Sequence, residues 1–230
     1  TQANVKTLRE RGVHVIDPAS GALGSGDRGV GRLPEPEEIA RVSLELLDAR
    51  DRASRTLAGR TVVVTAGGTR EPIDPVRFLG NRSSGRQGLA IASAAARAGA
   101  SVRMIVANIE SALLEALPAG VQVTRVGSAL QMREALIDQV ADADALVMTA
   151  AVADFRPEAT SDSKMKKDPS TEDAPTIRLV RNPDILAEIG HSERRPPLIV
   201  GFAAETGTDE EILAYGADKA ARKGADFICL

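Results

Sequence analysis

The sequence predicts an α/β protein with a doubly wound, mostly parallel sheet. Three observations carry that expectation. The short, continuous β-branched run "TVVVTA" (61–66) and the apolar run within "ADALVMTAA" (143–151) read as strands buried on both faces of a parallel sheet. Helical stretches rich in small residues stand between them. Strand and helix alternate throughout the second part of the chain.

Taken in order, residues 2–11 suggest a helix and "VHVID" (13–17) a short strand. A glycine-rich loop, "PASGALGSGDRGVGRLPEP", follows. Pro36 opens a helix to about Asp48, with Glu35, Glu37 and Glu38 where the positive end of the helix dipole favours acids. "LDARDRASRTLAGR" is charged and aperiodic, so it reads as the end of that helix plus a linker, with a domain boundary near Leu57. The expected division is 1–57 and 58–230. The next elements are the strand 61–66, a helix over 87–100, strands at 101–107 and 121–126, a helix over 129–140 and a strand within 143–151. A strand within 196–205, a helix over about 209–223 and the start of a strand at 226–229 complete the pattern. Thr1 begins inside a helix-like run and Leu230 ends inside a strand-like one, so both ends of the chain read as cut, with further sequence expected after Leu230.

Composition narrows the function classes. The 230 residues are 43% apolar, enough to bury a core. With 29 basic and 32 acidic residues the net charge is −3, and aromatics are 2%, which argues against a nucleic-acid binder that stacks bases. Cys229 is the one cysteine, so neither a disulfide framework nor a cysteine-rich metal site is expected. His14 and His191 lack metal-like partners in sequence and read as ordinary surface or packing residues. No stretch approaches the ~18 apolar residues of a membrane span, and a cytoplasmic location is expected.

Ligands of such sheets sit beyond the carboxyl ends of the strands, so the loops leaving "VVVTA", "LVMTA" and "IVGFAAE" are expected to share one cleft. The first, about 67–85, is far longer than the ~2–6 residues usual between strand and helix. It contains "LGNRSSGRQG", in which Asn81, Arg82 and Arg86 stand among serines and glycines. A dinucleotide site fails on spacing, because "AGGTREPID" is not G-x-G-x-x-G and the next strand ends at Ala107-Asn108 without the ribose-binding acid. Tyr215 and Lys219 form a Y-x-x-x-K pair, but without the glycine fingerprint it does not indicate a nicotinamide enzyme.

A nucleoside triphosphate fits better. Ser83, Ser84, Gly85 and Gly88 open a helix whose first N–H groups can receive phosphate or carboxylate oxygens. Lys164, Lys166 and Lys167 can close over such an anion from "FRPEATSDSKMKKDPSTEDAPT" (155–176), whose bland reading is a solvated surface insertion. Lys219 and Lys223 lie on one helix face, alternatively a solvated one. There is no G-x-x-x-x-G-K-[ST], so this is not an ordinary P-loop ATPase.

"TAGGTREPIDPVRFLGNRSSGRQG", "TAAVADFRP", "KMKK", "RNPDIL" and "VGFAAET" together resemble the synthetase half of bacterial phosphopantothenoylcysteine decarboxylase/synthetase, over about 57–230. Residues 1–57 resemble the end of its flavoprotein-type α/β decarboxylase half. The resemblance implies a Rossmann-like synthetase domain that ligates 4′-phosphopantothenate to cysteine. CTP activates the carboxylate as an acyl-cytidylate, pyrophosphate leaves, and the cysteine amine displaces CMP. It assigns Asn81 to the acyl-cytidylate and Lys164 to its formation. Asp154, Pro183, Asp184, Ile185, Leu186, Phe202, Lys219 and Lys223 match nucleotide-contacting positions, with Ala150 and Ala151 permitting close approach. Arg77, Ser83, Ser84 and Gly85 form the expected substrate and phosphate loop.

The residues alone leave CTP and ATP open; the fused arrangement resembles the CTP-using bacterial enzymes. Mg²⁺ is expected to be held by phosphates and water rather than by a protein cage. FMN belongs to the decarboxylase body of the parent, and the family pairs synthetase domains as homodimers within a larger homo-oligomer. Where the family carries cysteine as proton donor in a C-G-D clamp, this sequence reads S-G-D with Ser25, and a hydroxyl is a far weaker acid than a thiol. A different class of reading is a nucleotide-binding module that holds CTP without turnover.

Overall fold

The computed structural model describes residues 2–22, 28–166, 174–204 and 207–230, with the side chains of Ala22 and 48–54 left aside. The chain divides into two compact units, Thr1–Ser54 and Arg55–Leu230.

In the first unit, α1 (Gln2–Glu10) precedes a two-stranded antiparallel ladder of β1 (Ala19–Ala22) and β2 (Arg28–Arg32), and α2 (Pro36–Ser54) follows. The expected strand at 13–17 is not formed; the ladder begins after Pro18. The β-branched residues of "VHVID" favour a strand, but a strand also needs a partner edge, and none of the described residues supplies one. The helix opened by Pro36 runs on to Ser54, past the expected end at Asp48. Arg41, bonded to both Glu38 and Glu45, ties successive turns of α2.

The second unit begins with β3 (Thr61–Gly67). It is followed by the hairpin β4 (Arg70–Pro72) and β5 (Phe78–Gly80), then α3 (Arg86–Arg97), β6 (Ser101–Ala107), the short α4 (Ser111–Leu114) and β7 (Gln122–Val126). After α5 (Ala129–Val140) come β8 (Ala145–Met148), the pair β9 (Phe155–Pro157) and β10 (Leu179–Arg181), α6 (Ile185–Gly190), β11 (Leu198–Phe202), α7 (Asp209–Lys223) and β12 (Phe227–Cys229). Six strands form one parallel sheet in the order β12-β11-β8-β3-β6-β7.

Burial explains why β3 reads as a continuous apolar run. Val63 faces a cluster with Ile105, Met132, Leu136, Leu146 and Ile199, whereas Val62 and Val64 face another with Leu89, Ala92, Val102 and Met104. Successive side chains thus serve opposite faces of the sheet. Local capping agrees with the pattern. Ser128 and Gln131 form a capping box on α5, and Thr208 and Glu211 another on α7, which Gly224 ends in the left-handed conformation at φ 61°. Leu57 belongs to this unit: its N–H donates to Ala98 O at 2.9 Å.

Strand order positions the site. From β3 the chain moves outward through β6 and β7, then returns to the other side of β3 with β8 and continues to β11 and β12. The reversal lies between β3 and β8, and sheets of this kind bind ligands beyond the strand ends at such a point.

Candidate active site

Three loops meet at that reversal, and backbone bonds lock them together. Beyond the ends of β3 and β8, Gly68 and Ala151 continue the parallel pairing as a bridge. Ala151 N–H donates to Gly67 O at 2.8 Å, and Thr69 N–H to Ala151 O at 3.2 Å. Two buried threonines finish the lock: Thr65 Oγ1 accepts from Ala150 N–H at 3.2 Å and Thr69 Oγ1 from Ala153 N–H at 2.9 Å. Gly67 sits at φ 86°, and a Cβ there would lie 2.0 Å from Ala107 O. That position accepts glycine alone.

Asn81 joins this frame, its carboxamide donating to Val152 O at 3.1 Å. The loop that carries it is therefore held against the stretch Ala150–Asp154. Its backbone is close too, since a Cβ on Gly68 would stand 2.6 Å from Asn81 O and 3.5 Å from Ser83 Cβ. The loop is not irregular throughout, because β4 and β5 pair antiparallel within it and Arg70 stacks over Phe78. Ser83 Oγ accepts from Gly85 N–H at 3.3 Å, and Gly85 takes φ 74° as a helix N-cap with no side-chain cap bond. The start of α3 is thus left open, with exposed Ser83, Ser84, Arg82 and Arg86 around it.

A second group forms beside β11. Asp184 caps α6, its carboxylate accepting from Ala187 N–H at 3.1 Å, and it is ion-paired with Lys223, whose side chain is 18% exposed. Lys219 lies one turn earlier on α7, with its ammonium 5.9 Å from the Tyr215 ring centroid. Asn182 ties this group to the frame, donating through its side chain to Ala153 O and through its N–H to Asp154 O, both at 2.8 Å. Asp154 is exposed, Pro183 and Phe202 are half-buried, Ile185 is buried in the core, and Leu186 packs at its margin. Ile185 can therefore offer a ligand only its backbone.

The insertion has a defined stem, β9 paired antiparallel with β10. Lys164 is exposed on its first limb, and Lys166 likewise. Lys167 and Ser25 lie outside the described residues. Arg77 is not free to meet a substrate unaided: it pairs with buried Asp74 and donates to Met165 O. Burial on its own would raise the Asp74 carboxyl. Hydrogen bonds from the backbones of Val76, Met165 and Arg77, with the Arg77 guanidinium, outweigh it and hold the group well below the usual carboxylate range.

Sequence reasoning passed over Asp74, Thr65, Thr69 and Asn182. The readable signal was a run of small polar residues where apolar strands end, but which of them point inward is decided by register. A cleft of about 760 Å³ in the first unit, lined by Arg9, His14, Asp17, Pro34, Glu38 and Val42, collects none of the residues expected to act. Among the described residues no group of three or more His, Cys, Asp or Glu is arranged around a metal, and no helix is long and apolar enough to cross a membrane.

Residues 57–230 match the family model described as DNA/pantothenate metabolism flavoprotein C-terminal domain. The chain belongs to that family. The Coenzyme A biosynthesis bifunctional protein CoaBC of Mycobacterium tuberculosis (strain H37Rv) is 49% identical over 234 residues, covering 99% of this chain and 55% of the relative. The chain thus spans about half the length of the curated relatives it matches. Among solved structures, the C-terminal domain of a Coenzyme A biosynthesis bifunctional protein CoaBC is 38% identical, with a TM-score of 0.62 over 75% of this chain and 76% of that one. The Cab2 mutant H337A in complex with phosphopantothenate-cysteine shares the fold, at 18% identity and a TM-score of 0.58 over 85% and 80%. The six-stranded α/β architecture read from the sequence is the one these domains share.

Proposed function

We propose that this domain ligates 4′-phosphopantothenate to cysteine in coenzyme A biosynthesis, using CTP. The observation that carries the reading is the lock at the sheet reversal, where Asn81 is bonded to the stretch 150–154 in a chain of this family. A carboxylate is a poor acyl donor, so its oxygen attacks the α-phosphorus of CTP and pyrophosphate leaves. The cysteine nitrogen then attacks the acyl carbon, CMP departs with the bonding pair, and the amine loses its proton. Holding both reactants in line is worth much of the barrier.

The residues divide accordingly. Asn81 keeps one N–H and its carbonyl oxygen for the acyl-cytidylate, since Val152 O is its one hydrogen-bond partner among the described residues. Lys164 sets a positive charge against the phosphates as pyrophosphate forms. Ser83, Ser84 and Gly85 offer the open start of α3, and Arg77 belongs to the same substrate loop. Ala150 and Ala151 leave room at the strand end. Asp154, Pro183, Asp184, Ile185, Leu186, Phe202, Lys219 and Lys223 surround the nucleotide, with Asp184 fixing Lys223. Mg²⁺ fits as a companion of the triphosphate, whose oxygens are expected to hold it together with water.

In the whole protein the product is decarboxylated with FMN, and residues 1–57 are the end of that half, with Ser25 at its clamp. Its synthetase domains pair as homodimers, and it works in the cytoplasm. The test is pyrophosphate release by the full-length protein with CTP, Mg²⁺ and phosphopantothenate. Release that requires phosphopantothenate supports the ligase. CTP binding without release supports a binding module, and equal rates in excess chelator overturn the role of Mg²⁺.

A further inference from the structure

Asp74 stands apart from its surroundings. Its side chain is 0% exposed although the neighbouring Pro75, Val76 and Arg77 are exposed. Burying a carboxylate is costly unless donors surround it, so the donors show what the group is for. Oδ1 accepts from Val76 N–H and Arg77 N–H, each at 2.8 Å. Those two bonds suffice to hold the turn, as an asparagine would. Oδ2 is surplus to the turn. It accepts from Arg77 Nε at 2.9 Å and from the backbone N–H of Met165 at 3.1 Å, far along the chain.

Arg77 completes the grip by donating through Nη2 to Met165 O at 2.6 Å. The Asp74–Arg77 pair thus engages both backbone polar groups of Met165. Upstream on the same limb, Ser161 N–H donates to Ile73 O at 3.0 Å and Thr160 Oγ1 to Pro72 O at 3.2 Å. Asp162, Ser163 and Lys164 span the interval between pinned positions, so the Lys164 backbone has little freedom.

We propose that Asp74 is a positioning residue for the ligation, its second carboxylate oxygen holding the peptide at Met165 so that Lys164 is set in place before the nucleotide binds. The inference rests on the reading of Lys164 given above. Asp74 touches no reacting atom; it acts through the limb.

The substitution Asp74→Asn separates the two functions of the carboxylate. Its carbonyl keeps the turn, while its NH₂ cannot accept from Met165 N–H or from Arg77. The experiment is a double-mutant cycle in the full-length protein with Asp74→Asn, Lys164→Gln and both together. Pyrophosphate release at saturating substrates, backbone hydrogen exchange over 160–166 and thermal unfolding are measured for each.

Asp74→Asn is expected to slow release by about tenfold to 10²-fold, the scale of an ångström-sized misplacement. Added to Lys164→Gln it should change the rate less than twofold, and exchange over 160–166 should accelerate in both backgrounds. Losses that multiply would overturn the inference while leaving the role of Lys164 intact. A wild-type rate for Lys164→Gln would sink both that role and the inference, even with faster exchange. Unchanged exchange in Asp74→Asn would also overturn the inference. If Asp74→Asn loses its unfolding transition, Asp74→Ser is carried through the same cycle, because its hydroxyl still caps the turn without reaching Met165.

Discussion

Substituting Gly88 by alanine tests how closely α3 must lie on the sheet for the site to work. A Cβ at position 88 would stand 2.5 Å from Ala66 Cβ, 2.6 Å from Thr149 Oγ1 and 3.0 Å from Thr65 O. Ordinary carbon contacts lie near ~3.5–4.0 Å, so the start of α3 must recede by about 1 Å. Two effects on stability oppose one another. Alanine favours the helix over glycine by about 1 kcal/mol, and overpacking costs about 1–3 kcal/mol. The net loss is therefore about 0–2 kcal/mol. Rate is the more sensitive quantity, because the same displacement moves the N–H groups beside Ser83–Gly85, and about 1 Å of misplacement costs up to ~10²-fold. Urea unfolding and rapid-quench pyrophosphate release on the full-length protein measure both. The control is Gly120→Ala at φ 92°, before the opposite end of β7, where nothing lies within 4 Å. It should lose about 1–2 kcal/mol from backbone strain and little rate. Wild-type midpoint and rate for Gly88→Ala would refute the close-packing argument.

Further substitutions probe other links. Lys164→Gln should suppress pyrophosphate release, whereas Asn81→Asp should let pyrophosphate appear while CMP and amide lag and acyl-cytidylate accumulates; equal loss of release in both, with no trapped intermediate, would refute this division. Asp144 is held below the usual range, first by the Thr61 N–H and then by Arg60, against burial. A lowered folded pKa stabilises above the unfolded value of about 3.9 and is lost as pH falls below it. Asp144→Asn should accordingly flatten the acid dependence of unfolding free energy below about pH 4, and an unchanged slope would count against it. Asp184→Ala should cost about 1 kcal/mol by chemical denaturation through loss of the α6 cap; a denaturation midpoint equal to wild type would show that the cap contributes nothing.

Local pattern determined most of the architecture. β3, β6, α5 and α7 declare themselves through β-branched runs, helical periodicity and capping residues, all of which act over a few neighbours. The motifs likewise pointed to the loops leaving β3, β8 and β11. Partner-dependent features were not legible. "VHVID" is rich in β-branched residues but lacks a partner among the described residues, while the β4–β5 and β9–β10 ladders formed in stretches that looked irregular. Tertiary structure alone decided that Asp184 pairs with Lys223, that Thr65 and Thr69 turn inward to lock 150–153, and that Asp74 grips Met165. These contacts join residues far apart in sequence, and a buried polar group is satisfied by whichever donor the sheet order brings to it. Composition and spacing therefore mark a strand end as functional, while the order of the strands chooses which polar side chains serve there.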